Sequence, residues 1–125
     1  MMKTFKPLFK LFASAALLVT MSTATVNAQE KDRAGEGAKV VTTEMKAQLS
    51  LNDGQHAKVL DINKTFLQKA AEAEKVANAT DRAKKLKMLT DDRDAKLKSV
   101  LNETQYKTYQ AGRAGNAKKL RAYYQ

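Results

Sequence analysis

The stretches Leu51-Asn52-Asp53-Gly54-Gln55 and Leu101-Asn102-Glu103-Thr104-Gln105 repeat one pattern at two places in the chain. In each, the asparagine can accept hydrogen bonds from the free N–H groups of a starting helix, and the glutamine three residues later can return a bond to the backbone, which is a capping box. Asp53 also suits the positive end of a helix dipole. The two Leu-Asn-x-x-Gln boxes (Leu51, Asn52, Gln55 and Leu101, Asn102, Gln105) therefore predict two helix starts, and their expected role is to place the helices.

Apolar residues around the boxes recur at helical spacing, and the chain from residue 38 onward has no proline. We predict four helices: a short first helix with the stripe Val41, Met45 and Leu49, a second over Asp53 to Ala77, a third over Asp81 to Val100 capped by Thr80 or Asp81, and a fourth from the second box to the end. Gly112 and Gly115 each weaken the fourth helix by about 1 kcal/mol relative to alanine, so its far end is expected to fray. The predicted fold class is all-α, with amphipathic helices arranged as hairpins.

The second and third predicted helices have unusual faces. Leu60, Leu67 and Ala71 widen the apolar face of the second helix beyond what one antiparallel neighbour covers. We therefore expect this helix to contact two partners or to leave apolar surface exposed. Arg93 falls inside the apolar stripe of the third helix and needs either a partner or access to solvent.

Composition limits the class of protein. The chain has 125 residues and a formal charge of +10, and its length allows one domain at most. Because it has no cysteine, disulfide scaffolds, thiolate zinc sites and thiol nucleophiles are excluded. Beyond residue 28 the serines are Ser50 and Ser99, and neither lies in a nucleophile motif. His56 and Asp53 supply at most two ligands, so we predict no metal site, no cofactor and no enzyme.

Residues 1–28 have the pattern of a secretory signal peptide. Lys3, Lys6 and Lys10 precede an apolar run over residues 11–21 that is too short to span a bilayer, and small residues up to Ala28 suit signal peptidase. Cleavage there predicts a periplasmic protein with no stable membrane insertion, and loss of three lysines lowers its charge from +10 to +7. Export makes nucleic acid an unsuitable partner. Residues 29–37 are polar and glycine-punctuated, which predicts a flexible lead-in before a single helical domain over 38–125.

With this export signal and basic charge, the paired boxes resemble the Spy/CpxP family of periplasmic proteins, whose signature is a paired Leu-Thr-x-x-Gln motif. Asn52 and Asn102 stand where that family usually has threonine, and the resemblance covers Met45 to Gln110. Residues 94–106 are especially typical of it. The resemblance implies helical hairpins that dimerise into a thin curved cradle and bind client proteins without ATP. It also implies, as an alternative, a regulator that binds the periplasmic domain of an envelope-stress sensor kinase.

The candidate client-binding residues are basic and apolar side chains of the predicted helices: Lys84, Lys85, Lys87, Met88, Leu60 and Leu67. Charge speeds encounter with an unfolded chain, and methionine adapts to many shapes. Two plainer interpretations remain open: the lysines form a solvated helix face, and the leucines make core or dimer contacts. A third functional class is a basic adhesive protein that binds anionic surface polymers. Because large apolar residues are few, we expect a homodimer.

Overall fold

The computed structural model of the chain describes residues 33–125, so the predicted signal peptide lies outside the described residues. These residues form helices joined by short turns and contain no strand. The helices are α1 (33–49), α2 (Asp53–Ala73), α3 (Ala79–Val100), α4 (Glu103–Ala111) and α5 (Arg113–Tyr124). The predicted all-α fold class is confirmed.

The predicted flexible lead-in is wrong for residues 33–37, which form the beginning of α1. Ala34 is only 2% exposed, and the Arg33 side chain donates a hydrogen bond to the Ala122 carbonyl at 2.8 Å. Gly37 lies so close to Tyr123 that a Cβ atom there would come within 2.5 Å of the Tyr123 ring. Gly37 therefore permits close packing between α1 and α5. The polar, glycine-containing composition of residues 29–37 alone predicted a flexible segment.

The turn between α1 and α2 uses a left-handed residue. Ser50 has a φ of 53°, and the Leu51 N–H donates to the Lys46 carbonyl at 3.2 Å. This is the usual way to end a helix, although glycine is the usual residue at that position. The side chain of Leu51 is then buried directly beside the first capping box.

The turn between α2 and α3 differs from the prediction. Helix α2 ends at Ala73, not at Ala77. Asn78, not Thr80 or Asp81, caps α3, because its side chain accepts from the backbone N–H groups of Thr80 and Asp81 at 2.9 and 3.1 Å. Asparagine in extended backbone is among the best capping residues, and its position sets the start of α3 at Ala79, two residues earlier than expected.

The predicted fourth helix is divided at Gly112 into α4 and α5. The Gly112 N–H contacts the carbonyls of both Thr108 and Tyr109, at 3.2 and 3.1 Å, so the helix tightens there before α5 begins. Helix α5 does not fray as predicted but continues to Tyr124. Its buried Asn116 and Leu120 hold it against the rest of the structure.

Specific contacts show how the helices pack. Asn63 of α2 bonds to Thr42 of α1, Lys119 of α5 pairs with Glu44 of α1, and α2 packs along α3 and α5. These contacts join α1, α2, α3 and α5 around one core. The fully or nearly buried apolar residues of this core are Ala34, Ala38, Val41, Met45, Leu49, Leu51, Val59, Phe66, Leu67, Ala70, Leu97, Leu101, Tyr109 and Leu120.

Burial is uneven along the α2–α3 hairpin. No residue from 74 to 92 is buried, and within α3 only Arg93 and Leu97 are buried. Leu86 and Leu89 of α3 are only partly buried against the core. The hairpin tip, defined as residues 69–92, thus has thinner packing than the rest of the hairpin, and its buried residues are Ala70 and Ala73.

Candidate functional site

Both predicted capping boxes are present. The Asn52 side chain accepts from the Gln55 N–H at 2.8 Å, and the Asn52 N–H donates to the Gln55 side chain at 3.1 Å. The corresponding distances between Asn102 and Gln105 are 2.8 and 3.0 Å. The predicted cap role of these residues is confirmed.

The two boxes also bind each other, which the sequence interpretation missed. Gln55 Nε2 donates to Gln105 Oε1 at 2.7 Å, and Gln105 Nε2 donates to Gln55 Oε1 at 3.1 Å. Each amide also reaches a carbonyl at the other box, that of Val100 or Leu49, at 3.2 Å. We call this arrangement the glutamine clasp. The identical register of the two boxes was the sequence signal that could have predicted it.

Two predicted client-binding residues meet in a groove at the hairpin tip. The groove has a volume of about 360 Å³ and is lined by Lys69, Glu72, Ala73, Lys85, Met88 and Leu89. Met88 is 70% exposed, an unusual state for a large apolar side chain in the described residues. We call this feature the tip groove. It combines an apolar floor with two lysines and one glutamate at its edges.

The other predicted client-binding residues lie outside the tip groove. Lys84 and Lys87 are exposed, and Lys87 pairs with Asp91 one turn later at 3.4 Å. Leu60 is partly buried against the core. The prediction for Leu67 is wrong, because this side chain is completely buried and is not accessible to a client. The wide apolar face of α2 is explained by the contacts of this helix with both α3 and α5.

A buried polar network surrounds Arg93. The sequence predicted that Arg93 needs a partner or access to solvent, and in the structure its partner is Tyr109. Its Nη2 donates to the Tyr109 hydroxyl at 2.8 Å, and that hydroxyl donates to Asp94 Oδ1 at 2.7 Å. The other oxygen of Asp94 pairs with Arg113. The Arg93 guanidinium also lies 4.9 Å from the centroid of the Phe66 ring, a cation–π contact.

Burial and charge change the acidity of this network. Desolvation by burial, opposed by the charge of Arg93 and assisted by Asp94, raises the pKa of Tyr109 from 10.0 to about 12. Tyr109 is therefore neutral at physiological pH. The negative charge of Asp94 raises the pKa of Arg113 further above its usual value. The network thus holds two guanidinium charges against one carboxylate.

A second cavity, which we call the arginine cavity, adjoins this network and has a volume of about 460 Å³. Sequence reasoning did not identify it, although Arg93 and Arg113 both fall within otherwise apolar helical stripes. The lining residues are Phe66, Thr90, Arg93, Gln110, Arg113, Ala114, Ala117, Leu120, Arg121 and Tyr124. No carboxylate is among these described residues.

Residues 33–125 contain no cluster of three or more His, Cys, Asp or Glu side chains that could hold a metal ion. Of the helices described, none combines the length and apolar character needed to cross a membrane.

Comparison with known proteins gives one family. Residues 24–109 match the family described as Domain of unknown function (DUF4890). No curated protein matches the chain, and no solved structure does. The match covers more than half of the sequence and includes both Leu-Asn-x-x-Gln boxes and the tip groove. The chain therefore belongs to the DUF4890 family.

Proposed function

We propose that this protein is an ATP-independent chaperone-like protein of the periplasm that binds unfolded or aggregation-prone envelope proteins through the tip groove. The observation that carries the proposal is the exposed Met88 beside Lys85 in an open, apolar-floored groove. The resemblance of the paired boxes to the Spy/CpxP motif and the signal-like N-terminus point the same way. The proposed activity is binding, with no catalytic step.

The chemistry of the tip groove suits loose binding of many sequences. Met88 has three rotatable bonds and a polarizable sulfur, so it can adapt to different apolar side chains. Lys69 and Lys85 can attract acidic or partially charged segments without demanding a fixed geometry, since lysine is a flexible point charge. Weak contacts of this kind favour holding a client over selecting one particular sequence.

The proposed active form is a homodimer. A small domain buries a limited fraction of its surface and is correspondingly marginal in stability. Val40 of α1 is 42% exposed, so one apolar side chain outside the tip groove is available for contact with a second copy. Sedimentation equilibrium of the purified protein tests this part of the proposal separately, and a monomer at all concentrations would contradict it.

Light scattering from a chemically unfolded client, followed without ATP, tests the proposed activity. Protein obtained by expression of the full chain is added from below stoichiometric to several-fold excess, at low and at physiological salt. We expect suppression of aggregation that persists at physiological salt. Suppression only at low salt would instead indicate charge adhesion, because exposed charges more than about 8 Å apart are largely screened at physiological ionic strength.

A matched pair of variants locates the activity. Lys85→Glu reverses a charge within the tip groove, whereas Lys84→Glu makes the same change at an exposed neighbour outside it. We expect the first to weaken suppression clearly more than the second, with both retaining the helical circular dichroism of the parent. Equal effects of the two variants would contradict the assignment of the tip groove.

A further inference from the structure

The arginine cavity has a strongly one-sided charge. Arg93, Arg113 and Arg121 contribute guanidinium groups from α3 and α5, and no described acidic residue lines the cavity. Asp94 lies beside it but already accepts from Tyr109 and pairs with Arg113. Within residues 33–125, two of the three arginine charges therefore lack a carboxylate partner.

Arg93 is the most unusual of these groups. It is only 3% exposed, and its Nε atom is buried without a hydrogen-bond partner in the described residues. No ion pair joins Arg93 to a carboxylate anywhere in residues 33–125. Its direct polar partner is the neutral hydroxyl of Tyr109. A buried cation is costly unless it is paired and its donors are satisfied, and the nearby faces of Phe66 and Tyr109 compensate only in part.

The rest of the cavity lining is mainly apolar or aromatic, with Thr90 and Gln110 as its polar members. Phe66, Leu120 and Tyr124 line one part of it, and the Phe66 and Tyr124 rings meet edge to face at 5.9 Å. Gln110 and Ala114 are exposed at its rim, so the cavity can be reached from solvent. Its volume of about 460 Å³ lies within the range of about 300–1,000 Å³ that is usual for small-molecule sites.

We propose that the arginine cavity binds an organic carboxylate. The carboxylate group accepts hydrogen bonds from Arg93, whose Nε donor is otherwise unused, and is further attracted by Arg121, while the apolar part of the ligand packs against Phe66 and Leu120. Guanidinium groups match the planar geometry of a carboxylate and can bind it through two parallel hydrogen bonds. An inorganic anion would satisfy the charge but would leave the apolar wall unused. This site is separate from the tip groove, so the proposal does not depend on the proposed function.

Isothermal titration calorimetry of the protein from the full chain tests the proposal with sodium octanoate as the probe. Inorganic phosphate provides charge without an apolar tail, and octyl glucoside provides the same tail without charge. We expect octanoate to bind at least about tenfold more tightly than either comparison compound, which corresponds to about 1.4 kcal/mol. Phosphate binding as tightly as octanoate would overturn the assignment to organic carboxylates, and equal binding of octyl glucoside would overturn the role of the arginines.

Variants on one helix separate a specific site from general charge. Arg121→Gln removes a cavity arginine from α5, and Lys118→Gln removes the same charge from an exposed neighbour that does not line the cavity. We expect the first to weaken octanoate binding at least about tenfold and the second by less than about twofold. Equal losses would show that only net charge matters and would overturn the proposal.

The Nε–H resonance of Arg93 gives a second readout that needs no substitution in the core. In ¹⁵N NMR spectra it should move downfield as octanoate is added, because the donor gains an acceptor. Absence of any shift in a sample that binds octanoate would place the ligand elsewhere and overturn the site.

Discussion

Gln55 and Gln105 form reciprocal side-chain hydrogen bonds, at 2.7 and 3.1 Å, and thereby join the starts of α2 and α4. Each glutamine also completes its own capping box. One amide therefore serves the local cap, the partner amide and a carbonyl of the other turn. The repeated motif thus has a tertiary role as well as a local one, since it fixes the two turns to each other.

The glutamine clasp predicts strong coupling between these two positions. Gln55→Ala removes a cap bond together with one donor to and one acceptor from the Gln105 amide, so it should lower the free energy of unfolding by about 1–3 kcal/mol. Gln105→Ala should do the same. In a double-mutant cycle, measured by urea denaturation, the coupling energy should reach about 0.5–3 kcal/mol. Gln68→Ala, at an exposed position of α2, is the control, and additive effects at Gln55 and Gln105 would contradict the clasp.

The two glycines of α1 should respond in opposite directions to substitution by alanine. Gly37→Ala places a methyl group against the Tyr123 ring, so it should destabilise the protein by about 1–3 kcal/mol. Gly35→Ala meets nothing within 4 Å and should stabilise α1 by up to about 1 kcal/mol because alanine is the better helix former. Thermal unfolding of the two variants checks both signs. Equal behaviour would mean that α1 is not packed against α5 at this point.

The buried hydroxyl of Tyr109 predicts a loss of stability at alkaline pH. Its pKa is raised in the folded state from 10.0 to about 12, so above pH 10 the unfolded chain releases this proton more readily than the folded protein. The contribution is complete below pH 10 and is lost as the pH rises through about 12, by up to about 2–3 kcal/mol. Urea denaturation between pH 9 and pH 12 measures the slope.

Tyr109→Phe provides the test of that assignment. It should reduce the fall in stability over this pH range, while costing about 1–3 kcal/mol at neutral pH because Arg93 and Asp94 lose a shared partner. Tyr123→Phe, outside this network, should retain the slope of the parent protein. An unchanged slope in Tyr109→Phe would show that another group causes it.

The sequence predicted the elements whose causes are local. The spacing of Val41, Met45 and Leu49 identified α1, and the boxes identified the exact cap residues Asn52 and Asn102. The predictions from the sequence were wrong where tertiary contacts determine the structure. The packing of Gly37 on Tyr123 cannot be read from composition, and the burial of Leu67 depends on helices that are distant in sequence.

The candidate sites divide in the same way. Lys85 and Met88 were identified because an apolar residue on a lysine-rich helical face is visible in the sequence, but the contribution of Lys69 and Ala73 from α2 to the tip groove required the fold. Arg93 was recognised as a residue that needed a partner. Its partner Tyr109 and the gathering of three arginines at one cavity depend on how α3, α4 and α5 meet.

Site-specific photo-crosslinking tests the central claim, that the tip groove holds unfolded chains, most directly. Met88 is replaced by p-benzoylphenylalanine, with Lys58, an exposed position of α2 outside the groove, replaced in the same way as the control. Both proteins are irradiated with a chemically unfolded client and with the same client in its native state. The account predicts strong crosslinks from position 88 to the unfolded client alone. Equal crosslinking from positions 88 and 58, or none from position 88, would contradict it.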